Sequence, residues 1–231
     1  MFKQEEEKFN TSLSLSYKLI LIMLVISLVP LAISAYLNIS GSGGALEEAN
    51  FNQLNAIKTI KANQIENFFA ERKGDISVLS GTPIVKESFK NFDRVYQNQG
   101  IENSIYNVFL NRFNSYFSTY VEEYGYYDVF LINTAGDIVY TEAKESDLGE
   151  SLSSGQLSNS NLAEAYESGL NNVTLVDYKY YTPSGEPAIF VSAPIKDNGE
   201  VIGVIALQIS DESINDIMGA ETNIAGSPDG V

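Results

Sequence analysis

Tyr127–Thr141, YDVFLIN-TAG-DIVYT, is the stretch that decides the fold. Before Gly125 the apolar residues recur at helical spacing. From Tyr127 onward they alternate by two or run as β-branched blocks, the pattern of strands. Tyr127–Asn133 reads as one strand, Thr134-Ala135-Gly136 as a turn and Asp137–Thr141 as the partner strand. A loop with Gly149 and Gly155 leads to a short helix over Asn161–Leu170. Strands follow at Val173–Tyr181, Ala188–Ile195 and Val201–Ser210, with Pro183-Ser184-Gly185 and Asp197-Asn198-Gly199 as turns. Connections this short join antiparallel neighbours. The order therefore predicts an α+β fold: a five-stranded antiparallel sheet with helices packed against it.

Upstream, Leu46, Phe51, Leu54, Ile57, Ile60, Ile65, Phe68, Ile76 and Leu79 form a helical stripe over Ala45–Leu79. Such a helix is about 50 Å long by rise per residue, too long for a small domain to cover. Its stripe is expected to meet a partner helix, which predicts a homodimer through the long helix. Thr82-Pro83 restarts a helix through Val85 and Phe89, and the Asn- and Gln-rich patch at Tyr96–Gly100 reads as a turn. A further amphipathic helix runs over Ile101–Tyr124, with Phe109, Phe113, Phe117 and Tyr120 as core.

Leu19–Leu37, LILIMLVISLVPLAISAYL, carries no charge. As a helix it reaches about 28 Å, close to the thickness of a bilayer core. Lys3, Lys8 and Lys18 precede it and no Lys or Arg follows until Lys58. The positive-inside rule then puts the N-terminus in the cytoplasm and the rest of the chain outside the cell membrane, as a single-pass protein. Tyr17 and Tyr36 bracket the run at interface positions. Ile33-Ser34-Ala35 has the look of a cleavage site, but the leader is long and contains Glu5, Glu6 and Glu7, so an uncleaved anchor is expected. Gly41-Ser42-Gly43-Gly44 reads as a hinge between this span and the long helix.

The net charge is −16 and there is neither cysteine nor histidine. The acidity repels phosphate backbones and anionic headgroups, which argues against nucleic-acid partners. Without Cys or His there are no disulfides, thiolate or imidazole metal sites, and no Ser-His-Asp or Cys-His machinery. No Walker-type or dinucleotide-type glycine pattern follows a strand. No cofactor, no metal and no catalytic residues are expected. A hydrolase using Glu122 with Glu123, or Asp137 with Asp147, is disfavoured because adjacent helical residues point about 100° apart and nothing pairs the two Asp.

The order of span, long helix and five-stranded sheet resembles the extracytoplasmic Cache sensor domains of bacterial methyl-accepting chemotaxis receptors, whose core is PAS-like. Arg72-Lys73-Gly74-Asp75 with Leu79 and Pro83 is similar to the helix that opens those domains. Tyr127–Asn133 with Gly136–Tyr140 resembles their first hairpin, and Lys144–Gly149 the loop after it. Asp177-Tyr178, Tyr181–Ser184, Pro187-Ala188, Ala193–Ile195 and Val201–Val204 resemble the central and last strands. The similarity covers roughly 15–218. It implies a cytoplasmic tail (1–18), a transmembrane helix (19–38), helical segments (45–124), a periplasmic sensor domain (125–211) and a tail (212–231) where a second module or span would begin. Output helices would follow beyond this chain.

The resemblance implies small-molecule sensing in transmembrane signal transduction, with chemotaxis as the expected output. The alternatives are the sensor region of a histidine kinase or diguanylate cyclase, or a membrane-anchored structural or dimerisation domain. In PAS-like sensors the ligand lies between the sheet and the loops crossing it. Strand alternation puts Asp177, Lys179 and Tyr181 on one face of Val173–Tyr181, and Val176, Tyr178 and Tyr180 on the other. A carboxylate among tyrosines can hold an ammonium by charge-assisted bonds and cation–π attraction. The candidate ligand-binding residues are therefore Asp177, Tyr178, Lys179, Tyr180 and Ser192. Arginine occurs only at 72, 94 and 112, away from the sheet, so a neutral or cationic ligand is favoured over a dicarboxylate.

Overall fold

The computed structural model describes residues 14–219. Residues 1–13 of the expected cytoplasmic tail, with Lys3 and Lys8, and Thr222–Val231 of the expected loose tail lie outside the described residues. The chain divides into two units, Met1–Lys58 and Thr59–Val231. Helix α1 is assigned over Leu15–Gly81 and contributes to both.

In the first unit, Leu15–Leu37 is long and apolar enough to cross a membrane, and none of it is buried in protein. Pro30 lies inside the helix, as membrane-spanning helices tolerate. The backbone stays helical through Gly41–Gly44, where a hinge was expected. Glycine lowers helix propensity by about 1 kcal/mol but keeps its N–H donor, unlike proline.

In the second unit, α1 ends at Gly81 and Thr82 caps α2 (Pro83–Gln99), its Oγ1 accepting from the Val85 amide with Pro83 in the first turn. Asn103 caps α3 (Ser104–Tyr124) through Oδ1, which accepts from the Tyr106 amide at 2.9 Å. Gly125 closes α3 at φ 68°, ψ 38°, a left-handed geometry that favours glycine. The strands are β1 (Asp128–Asn133), β2 (Ile138–Thr141), β3 (Thr174–Tyr181), β4 (Glu186–Asp197) and β5 (Glu200–Ser210). Helix α4 (Asn161–Gly169) separates β2 from β3. Every pairing is antiparallel and the sheet order is β2-β1-β5-β4-β3, as the short turns require. The segment after β5, expected to open a tail, begins as helix α5 (Asp211–Gly219); Lys61 Nζ donates to the Ile217 carbonyl at 2.6 Å.

Alternation splits the core in two. Val129, Leu131, Val191, Ile205 and Leu207 pack against Ile76 and Leu79 of α1, Phe89 and Phe92 of α2, and Phe113 and Phe117 of α3. Phe92 and Phe117 both contact the Tyr140 ring, at centroid distances of 4.8 and 4.9 Å. On the other face Phe130, Ile132, Phe190, Val204 and Ala206 pack under α4. The Arg72–Asp75 motif ties α1 to the start of the sheet. Arg72 Nη1 donates to the Tyr124 carbonyl at 2.8 Å, its guanidinium lies over the Tyr126 ring at 4.8 Å, and the Tyr126 hydroxyl donates to Asp75 at 2.9 Å.

Candidate ligand-binding site

Antiparallel pairing gathers the start of β1, the ends of β2, β3 and β5 and the start of β4 at one end of the sheet. Asp128 stands opposite Gln208, and Tyr181 opposite Glu186. Alternation places Asp128 with Phe130 and Ile132, and Gln208 with Val204 and Ala206, on the α4 face. The segment 142–160 folds back along β2: the Ile138 amide donates to Glu150, and the Gly149 and Leu152 amides donate to Ile138 and Gly136. This segment carries Glu145 and Asp147 to the same end of the sheet.

Asp128 is fully buried. Its Oδ1 accepts from the amides of Val129, Glu142 and Ala143 at 2.6, 2.8 and 3.0 Å, and its Oδ2 accepts from the Thr141 hydroxyl. Those bonds favour the carboxylate, yet burial outweighs them and pushes Asp128 up to about 7. Asp147, also fully buried, accepts through Oδ2 from the Tyr181 hydroxyl at 2.8 Å. Burial raises its pKa despite that bond, and raises Tyr181 together with the Asp147 charge. The Tyr127 hydroxyl donates to Glu145 Oε1 at 2.7 Å. Gln208 Nε2 donates to Ser184 Oγ at 3.0 Å. Burial raises Glu186, with Asp211, Glu145 and Glu212 adding repulsion.

What sets this end apart is its acceptors. Asp147 Oδ1, Gln208 Oε1, Glu145 Oε2 and Glu186 Oε1 are buried and have no protein partner. Native interiors seldom leave such atoms unpaired. None of these carboxylates is ion-paired among the described residues. Two hollows flank the cluster. One of about 320 Å³ is lined by Ser146, Glu150, Gln156 and Thr182. The other, about 420 Å³, is lined by Tyr127, Glu186, Asp211, Glu212 and Asp216.

The residues singled out from the sequence stand elsewhere. Asp177, Tyr178, Lys179 and Tyr180 are exposed on β3. Asp177 Oδ1 accepts from the Tyr178 amide at 2.7 Å, and Lys179 Nζ donates to the Asn159 carbonyl. Ser192 is buried beneath α4, its hydroxyl donating to the Ala165 carbonyl at 2.6 Å. The expected alternation along β3 is corrected. Its register with β4 shifts between Val176 and Lys179, so Val176 and Tyr181 both enter the α4-side core although they are five positions apart, an offset that regular alternation would place on opposite faces. A lone polar residue inside an apolar strand, Asp128 in YDVFLIN and Gln208 in VIALQIS, was the available signal for the buried cluster.

No family model matches the sequence, and no curated protein does. Solved structures do. The V. cholerae histidine kinase DctB sensor domain superposes with a TM-score of 0.57 at 13% identity, over 75% of this chain and 61% of that one. The ligand-binding domain of the Campylobacter jejuni chemoreceptor Tlp3 in complex with L-valine gives 0.53 at 13% identity, over 78% and 67%. The same receptor's sensory domain with isoleucine bound gives 0.51 at 14%, again over 78% and 67%. The fold is that of these sensor domains. The five-stranded antiparallel α+β architecture expected from the order of strands is thus found, and the chain spans between three-fifths and two-thirds of the length of the sensor domains it matches. In this chain the sheet-end cluster lies on the face closed by α4 and the segment 142–160.

Proposed function

We propose that the chain is the ligand-sensing region of a transmembrane signalling receptor of the chemoreceptor type. Leu15–Leu37 anchors it in the cell membrane, the N-terminus lies in the cytoplasm, and the sheet domain faces outward. The observation that carries the reading is a set of fully buried polar atoms without protein partners at one end of a sensor-type sheet. A ligand would supply those partners. The pair of hollows, about 320 and 420 Å³, is in the size range of small-molecule sites. The role is binding rather than chemistry. Dimerisation through α1 is part of the proposal, since the stripe from Leu46 to Leu54 is exposed. The sensor region of a histidine kinase is the second reading, favoured by the likeness to the DctB sensor domain.

A melting-temperature screen of the full chain in detergent against a metabolite library tests the proposal. A ligand at a hundred times its Kd stabilises the native state by about 2.7 kcal/mol, an upward shift of a few degrees. Wild-type protein should show such a shift with at least one compound. A library that moves the melting temperature nowhere would remove the sensing claim.

A further inference from the structure

We propose that the ligand held at this sheet end is an aliphatic diamine or polyamine without a carboxylate, one ammonium lying between Asp147 Oδ1 and Gln208 Oε1. The inference rests on the sensing reading and goes beyond it by fixing the chemical class. Its first ground is the sign of the unmet hydrogen bonding. Asp147 Oδ1, Gln208 Oε1, Glu145 Oε2 and Glu186 Oε1 are all acceptors. An ammonium brings three donors and no acceptor, so it is the complementary head group. The second ground is Gln208, a neutral amide with no exposure, opposite Asp128 on the face that holds the acids. Its Nε2 is taken by Ser184, which leaves the buried carbonyl oxygen as its unpaired atom. A neutral acceptor of this kind adds a hydrogen bond without adding charge.

The third ground is what the site lacks. An α-amino acid brings a carboxylate, which needs a guanidinium, an ammonium or free backbone donors. The nearest basic residues in sequence, Lys144 and Lys179, are both exposed, and Lys179 is engaged with the Asn159 carbonyl. A carboxylate here would instead meet Asp147, Glu145 and Glu186, a repulsion that low local polarity strengthens. Divalent metals are a poor match, because Ca²⁺ takes six to eight oxygens in a preformed set. Among the described residues no group of three or more acidic side chains is arranged to hold a metal ion. A second ammonium has a place as well. The hollow beside the cluster is lined by Glu186, Asp211, Glu212 and Asp216 with the Tyr127 ring, acids for the charge and an aromatic face for the methylene spacer.

Isothermal titration of the full chain in detergent at pH 7.5 decides the matter, with 1,4-diaminobutane, L-valine and CaCl₂ as separate titrants. The diamine should bind, and L-valine and Ca²⁺ should each be at least tenfold weaker. Asp147→Asn and Gln208→Leu should each weaken the diamine at least tenfold. Glu186→Gln, at the half-buried rim, supplies the same test should either interior variant fail to fold. Valine or Ca²⁺ binding as tightly as the diamine would overturn the inference, as would diamine affinity unchanged in the variants. If the metabolite screen returns an anionic ligand while the diamine is inert, sensing stands and the amine class falls. If nothing binds in either experiment, both fall.

Discussion

The Tyr181 hydroxyl, at the end of β3, donates to Asp147 Oδ2 at 2.8 Å in the segment that follows β2. Both residues are fully buried. This bond joins an edge strand to a covering loop across the α4 face, and it leaves Asp147 Oδ1 as the free acceptor. Tyr181→Phe keeps the ring against Phe190, at a centroid distance of 5.0 Å, and removes only the donor. A buried acceptor stripped of its partner costs about 1–3 kcal/mol. Denaturant unfolding followed by far-UV circular dichroism should show a loss of that size. An unchanged midpoint would mean that the bond contributes nothing.

Asp128 gives the apo protein an unusual response to pH. Its carboxyl titrates near 7 in the folded chain, against an ordinary 3.8 when unfolded. Between those values the native state binds the proton and the unfolded state does not, so stability falls as pH rises. The Asp147 charge adds to the rise at Asp128, and burial raises Asp147 and Glu186 as well, so all three act on stability in the same sense. Thermal melts of the apo protein should therefore fall from about pH 4 to about pH 7, and Asp128→Asn should flatten the slope. A melting temperature that rises over this interval would contradict the assignment.

Gly203, on β5, is required by close approach rather than by backbone angle. A Cβ there would lie 2.4 Å from the Phe89 ring and 2.7 Å from the Ile132 carbonyl oxygen. The carbonyl belongs to the paired strand β1 and cannot swing aside. Gly203→Ala should destabilise the sheet domain by about 1–3 kcal/mol, the range for overpacking. Chemical denaturation measures it, and a neutral result would show that β1 and α2 give way more easily than their packing suggests.

The architecture was legible because its signals are local. Gly136, Gly185 and Gly199 mark the turns, and all three adopt positive φ. Thr82-Pro83 announces a helix start, and Phe89, Phe92, Phe113 and Phe117 fall at helical spacing toward one core. The site was less legible because its residues come from five separate segments. Asp128, Tyr181 and Gln208 stand at strand ends, where polar side chains are ordinarily solvated. The return of 142–160 across that end closes over Asp128 and Tyr181, which bond to Glu142, Ala143 and Asp147. Asp177 and the flanking tyrosines form a polar, aromatic strand in TLVDYKYY, but residues 177–180 all stand exposed around a register shift with β4 that the sequence does not announce. Gly41–Gly44 misled for a related reason. Glycine weakens a helix without forbidding one, so composition alone did not fix the break.

Hydrogen exchange of the full chain, with and without the compound that most raises its melting temperature, locates the bound ligand on the sheet. Exchange should slow at 126–129, 142–150 and 181–186, the segments that carry Asp128, Asp147, Tyr181 and Glu186 at this end of the sheet. Binding that slows none of these amides would contradict the placement of the ligand site, and with it the reading of the buried acceptors.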